Sequence, residues 1–252
     1  MTSANQIPEV KVVETEEVEM NEPLVILGFA GSGLVGGIAV SHIIDQLDMQ
    51  EIAHVKSMYM PPAVVFMEGK LRHPFRIYSD EEGKLAAVVC EVPLRSDGSY
   101  PIASALLDWI EEKDVRELVI LEGAPVRGIP KKRKAFCAAE PEKTKECEEK
   151  GIEMTSAGVI RGIAGSILNE CLTRKITGIA FLVPAVAFMP DPEGAATLIE
   201  TLNQVYDMDL NTQGLLEKAE EIKHKLKEIA KRRQRMRQAE KEKGIPEGSY
   251  VA

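Results

Sequence analysis

Gly31, Gly33 and Gly36 are spaced as G-x-G-x-x-G directly behind the apolar run Leu24-Val25-Ile26-Leu27-Gly28. At a strand-to-helix turn this spacing suits a dinucleotide, because glycines let the backbone approach a pyrophosphate seated on the helix N-terminus. The same chemistry needs an Asp or Glu at the end of the second strand to hold the ribose hydroxyls. Here the second expected strand, Ile52–Val55, runs into Lys56-Ser57-Met58-Tyr59, and the nearby acids Asp45, Asp48 and Glu51 come before or at its start. Lys56 keeps a 2′-phosphate, and so NADP, open. The favoured reading is that the three glycines shape a tight turn and allow close helix–strand packing, with nucleotide binding over residues 30–36 as the alternative.

Glu91 and Glu122 are the other candidates. Each stands at the end of an expected apolar strand, Leu85–Val89 and Leu118–Leu121, where α/β sheets place their ligand crevice. Arg95, Asp97, Arg127 and Arg161 lie in adjoining loops. The set suits either an anionic or ribose-like ligand, or ion pairs that fix loops, and the second reading is favoured. No Gly-Lys-Ser/Thr follows the glycines at 123 and 128, so there is no P-loop. His42, His54, His73 and His224 lack metal-ligand spacing, and Cys90, Cys137, Cys147 and Cys171 lack C-x-x-C spacing. Neither a metal nor a cofactor is expected, and the cysteines read as buried thiols.

The elements that must carry these residues alternate. Leu24–Gly28 reads as a buried parallel strand, since its apolar run is continuous and not alternating. Further strands are expected at Ile52–Val55, Ala63–Met67, Phe75–Tyr78, Leu85–Val89, Leu118–Leu121 and Gly178–Val183. Helices are expected at Leu34–Leu47, Tyr100–Glu111, Pro141–Lys150, Ile163–Thr173 and Glu193–Tyr206, the last with Asp191 as N-cap and Pro192 at its first position. This alternation predicts an α/β fold, a mostly parallel twisted sheet with helices on both faces, with antiparallel strands added over 62–90.

Three regions follow: an acidic N-terminal arm over 1–22, either disordered or an edge strand; an α/β domain over 23–213; and an amphipathic C-terminal helix with a basic tail over 214–252. In the last, Leu215, Ala219, Ile222, Leu226 and Ile229 step by 4, 3, 4 and 3, a heptad seam for packing on the body or on another subunit. The seam dissolves at Arg233, and Gly244-Ile245-Pro246 ends the helix.

The net charge of −9 is uneven: residues 214–243 carry 11 Lys/Arg against 6 Asp/Glu. The basic stretches Lys131–Lys134 and Lys231–Arg233 lack interleaved aromatics, which argues against nucleic acid as a partner. No apolar stretch approaches the roughly 20 residues of a membrane span, and Met1–Met20 is acidic where an export signal is basic then apolar. The expected location is the cytoplasm, with no membrane partner.

Several segments together resemble the proteasome assembly chaperone family, especially its archaeal members. They are Gly28–Gly36, Val88–Glu91 with its loop, Leu121-Glu122-Gly123, Gly158–Gly165 and Pro190–Ala196, over a span of about 22 to 220. The resemblance implies a nucleoside phosphorylase-like fold with no enzymatic activity, a cyclic homo-oligomer, and a protein client, either proteasome α subunits or another. It assigns partner binding to the projecting helix and tail, here Lys231, Arg232, Arg235, Tyr250, Val251 and Ala252, with Leu215, Ile222, Leu226 and Ile229 packing the helix. It also implies a docking signal of hydrophobic–Tyr–any residue. Tyr250 lies one place out of that register, behind the polar Ser249.

Overall fold

The computed structural model describes residues 10–16, 18–67, 69–128, 130, 133–187, 189–222 and 224. In chain order the elements are β1 (Val10–Glu14), β2 (Leu24–Phe29), α1 (Val35–Gln46), β3 (Gln50–Ser57), β4 (Val65–Met67), β5 (Lys70–Arg72), β6 (Phe75–Ser79) and β7 (Leu85–Cys90). Then come α2 (Ser99–Glu112), β8 (Glu117–Pro125), β9 (Phe136–Ala139), α3 (Pro141–Glu149), β10 (Glu153–Met154), α4 (Gly162–Arg174), β11 (Gly178–Ala185) and α5 (Pro192–Tyr206). Residues 213–222 continue as a further helix.

Nine strands form one sheet in the order β1-β3-β6-β7-β2-β8-β11-β9-β10. Its centre, β7-β2-β8-β11, is parallel, with Leu27 opposite Val88 on one side and Ile120 on the other. All six residues of β2 and of β7 are buried, which is why these strands read as unbroken apolar runs. Towards one edge β7/β6, β6/β3 and β3/β1 are antiparallel, and on the other side β11 pairs antiparallel with β9.

Period-two alternation splits the central strands between two cores. Ile26, Val119, Leu121 and Phe181 face α1 and α5, meeting Val35, Val40, Ile43, Leu198 and Leu202. Val25, Leu27, Val88 and Ile120 face α2 and α4, meeting Ile102, Leu106, Ile110, Ile163 and Ile167. Helices thus cover both faces. The N-cap of α5 is Asp191, whose Oδ1 accepts the Gly194 N–H at 2.9 Å, with Pro192 in the first turn.

The expected strands and helices are present with shifted ends, and β8 runs four residues past Leu121, so Glu122 lies within a strand and not after it. The short strands β5, β9 and β10 were not expected. Val10–Glu14 is an edge strand against β3. In the final helix Leu215 and Ala219 are buried and Ile222 is half-buried. Leu226, Ile229, Lys231, Arg232, Arg235, Tyr250, Val251 and Ala252 lie outside the described residues. Among the described residues no helix is long and apolar enough to cross a membrane.

Candidate functional site

The glycine turn sits where β2 hands the chain to α1, and protein atoms occupy the space its missing side chains leave. A Cβ at Gly31 would collide with the Glu122 carboxylate, one at Gly33 would press on Ala185 and Asp191, and one at Gly36 would collide with the Leu121 carbonyl. Gly33 also takes φ 66°, and Leu34 follows it with φ 53°, a left-handed backbone that strains a residue with a Cβ. The turn is closed from above by the start of α5, where the Asp191 N–H donates to the Gly33 carbonyl at 2.9 Å. The strand after α1, β3, stands three places from β2, with β6 and β7 between them. A dinucleotide site takes its ribose-binding acid from the adjacent strand. No residue at the end of β3 can serve that role here.

Glu91 and Glu122 open into different cavities. Glu91, just beyond β7, borders a cavity of about 590 Å³ between α1, the β4–β5 hairpin and the final helix, lined also by Leu34, His42, Leu215 and Ile222. Its carboxylate is held by Arg76 of β6 at 2.7 Å. Arg76 is 3% exposed, donates from Nε to the Tyr78 hydroxyl at 2.7 Å, and donates from Nη1 to the His73 carbonyl. Glu91 is therefore the half-buried partner of a buried guanidinium. Its partner comes from β6, not from the loops that carry Arg95, Arg127 and Arg161.

Glu122 lines a second cavity of about 580 Å³ over the carboxyl ends of β2, β8 and β11, together with Ser32, Ser99, Arg161 and Ile163. Its Oε1 accepts the Gly123 N–H at 3.0 Å, and Oε2 has no partner among the described residues. Burial pushes the carboxyl up to about 7, only partly offset by that N–H. Arg95 instead pairs with Asp97 at 2.6 Å on the surface. Arg161 is exposed at the start of α4, and Arg127 is exposed beyond β8.

All four cysteines are buried free thiols, and among the described residues no group of His, Cys, Asp or Glu could hold a metal ion. His54 and His73 stack with ring centroids 3.7 Å apart. Burial, then the charge of His73, lowers the His54 pKa.

One surface feature escapes the sequence reading. The β4–β5 hairpin stands apart from the main sheet, and it exposes Val64 (58%), Phe66 (68%) and Leu71 (71%). In sequence Ala63–Met67 reads as a strand among the antiparallel segments over 62–90, without being separated from the main sheet. The signal that could have separated it is its shortness, together with Lys70 and Arg72 flanking Leu71.

Comparison with known proteins places the chain. A family model described as the PAC2 family matches residues 25–230. A crystal structure of a Thermoplasma acidophilum protein with unknown function is 38% identical, covers 88% of this chain and 92% of that one, and superposes with a TM-score of 0.75. Pyrococcus furiosus PbaA, an archaeal homolog of proteasome-assembly chaperone, is 25% identical over 91% of this chain and 100% of its own, with a TM-score of 0.76. Pyrococcus furiosus PbaB, an archaeal proteasome activator, shares the fold at 23% identity and a TM-score of 0.78, covering 89% of this chain and 100% of its own. With the matched segment spanning most of its length, this chain belongs to the PAC2 family.

Proposed function

We propose that this protein is a non-catalytic, cytoplasmic homo-oligomeric chaperone or adaptor of archaeal type that binds protein clients, proteasome α subunits foremost. The kinship with PbaA and PbaB supports a proteasome-related role. The observation that carries the oligomeric part is the apolar hairpin: Val64, Phe66 and Leu71, with Phe66 opposite Leu71, present most of their surface to solvent. Contiguous apolar surface of this kind marks an association site, and we assign it to a second copy of this chain. In this reading the fold is nucleoside phosphorylase-like with its chemistry absent. The pairing of Glu91 with Arg76 fits this reading.

Client capture belongs to the C-terminal helix and tail. Leu215 and Ala219 anchor the helix on α1, next to His42, whose ring meets the Asn211 carbonyl at 2.7 Å. We extend the seam through Ile222, Leu226 and Ile229. Beyond them Lys231, Arg232, Arg235 and the terminal Tyr250-Val251-Ala252 form the client-binding arm, and the acidic segment 1–22 is an arm tied to the 23–213 body by the pairing of Val10–Glu14 with β3. Deleting residues 231–252 should leave the oligomer and its melting temperature intact while abolishing co-elution with purified archaeal α subunits. Undiminished co-elution would remove the tail from the mechanism, and loss of folding would make it part of the body.

A further inference from the structure

We propose that the cavity over the carboxyl ends of β2, β8 and β11 binds a ribonucleoside-class ligand, its vicinal ribose hydroxyls held by the free carboxylate oxygen of Glu122. The first argument is the exceptional position of Glu122. Among the described residues the other inward-placed carboxylates each face a cation: Glu91 faces Arg76 at 2.7 Å, Glu117 faces Lys143 at 3.1 Å, Glu170 faces Arg174 at 2.8 Å, and Asp191 faces Arg133. Glu122 has one hydrogen bond, from its own neighbour's N–H, and an Oε2 left over. Glu122 is half-buried, desolvation lifts its carboxyl to about 7 against the lowering by the Gly123 N–H, and it lines the cavity. A residue kept in that state where Gln or Leu would serve the fold has a use for its acceptor oxygens.

The second argument is the setting. The chain leaves β2 for α1 on one face of the sheet and leaves the adjacent parallel strand β7 for α2 on the other, and both connections line the cavity through Ser32, Leu94 and Ser99. The cavity thus lies at the crevice where connections diverge from adjacent parallel strands, the place α/β sheets bind ligands. Its volume of about 580 Å³ falls within the range of small-molecule sites. The walls divide in the way a nucleoside requires. Ser32 and Ser99 bring hydroxyls with no hydrogen-bond partner among the described residues, beside Glu122, while Leu94, Ile160, Ile163 and Leu182 supply apolar surface for a flat ring.

The ligand class follows from the charges. In its ionised form the Glu122 carboxylate is a pure acceptor, and two adjacent hydroxyls are its matched donors. An ammonium would also pair with it, but the only cation lining the cavity is Arg161, exposed and without an ion-pair partner among the described residues. Arg161 repels a cation and accommodates an anionic substituent, so the nucleoside and its 5′-monophosphate share the proposed contact. The site is independent of client binding by the tail or the hairpin.

The test is a calorimetric titration of the full-length protein with the four common ribonucleosides, their 5′-monophosphates and the matching 2′-deoxy compounds. At least one ribo compound should bind, and its 2′-deoxy counterpart should bind about tenfold more weakly or worse, as expected when a built polar contact is left unpaired. Preference for the monophosphate, lost in Arg161→Ala, would identify the nucleotide as the ligand; equal binding would identify the nucleoside. Glu122→Gln, checked for an unchanged circular dichroism spectrum, should lose binding to a similar degree. No heat from any ribo compound at millimolar concentration would overturn the proposal, as would equal affinity for ribo and deoxy forms. That comparison uses the unaltered protein and does not depend on the variant folding.

Discussion

Glu122→Gln should make the protein more stable at alkaline pH and nearly unchanged at acidic pH. The carboxyl titrates at about 7 in the folded chain and near 4.5 unfolded, with burial as the cause and no charged neighbour contributing. Between those values the folded state holds a proton that the unfolded state has released, so stability falls as pH rises through that window and levels off above it. Integrated from pH 5 to pH 8, a shift of this size is worth about 2.5 kcal/mol. Glutamine keeps the shape and the acceptor for the Gly123 N–H but has no proton to lose. The variant should therefore gain about 2.5 kcal/mol on the wild type between the two pH values, a difference of about 5–10 °C in melting temperature for a chain this long. Urea unfolding of both proteins at pH 5 and pH 8, at one protein concentration, isolates the term because every other titrating group cancels. A wild-type-to-variant difference that is the same at both pH values would refute the reasoning: Glu122 would then be as hydrated folded as unfolded.

Further outcomes follow from the ion pairs and the hairpin. Arg76→Met leaves the half-buried Glu91 without its cation and should destabilise by about 1–3 kcal/mol in urea, with Glu91→Gln recovering part of the loss in the double variant. A cost below about 1 kcal/mol would mean that the pair is solvated like a surface bridge. Phe66→Asp combined with Leu71→Asp should convert the oligomer to monomers by light scattering while leaving the circular dichroism spectrum unchanged, because both side chains are mostly exposed and contribute little to the core. An oligomer that survives both charges would move the interface elsewhere.

Much of the fold was legible because its centre obeys simple rules. β2 and β7 are buried on both faces, so continuous apolar runs betray them, and α1 and α5 carry their apolar stripes in sequence, α5 its cap as well. What was not legible depends on contacts made far along the chain. Phe136–Ala139 and Glu153–Met154 become strands only because β11 offers an edge for β9 and β9 then offers one for β10. The hairpin carries the same residue types as a core strand, and only its position outside the main sheet exposes Phe66 and Leu71. At the site, Glu91 and Glu122 were visible as acids near strand ends. Their different fates were not, because Arg76 reaches Glu91 from β6, while the space around Glu122 is set by Gly31, some ninety residues earlier. The roles of Gly31, Gly33 and Gly36 likewise need the third dimension: the spacing alone does not show that Glu122, Asp191 and Leu121 fill the room a phosphate would need.

The most direct test of the central reading is native mass spectrometry of the full-length protein, alone and mixed with archaeal proteasome α subunits and with assembled core particles. The account predicts a discrete homo-oligomer that captures free α subunits in defined stoichiometry. A monomer that binds neither species, or an oligomer that ignores both, would contradict it.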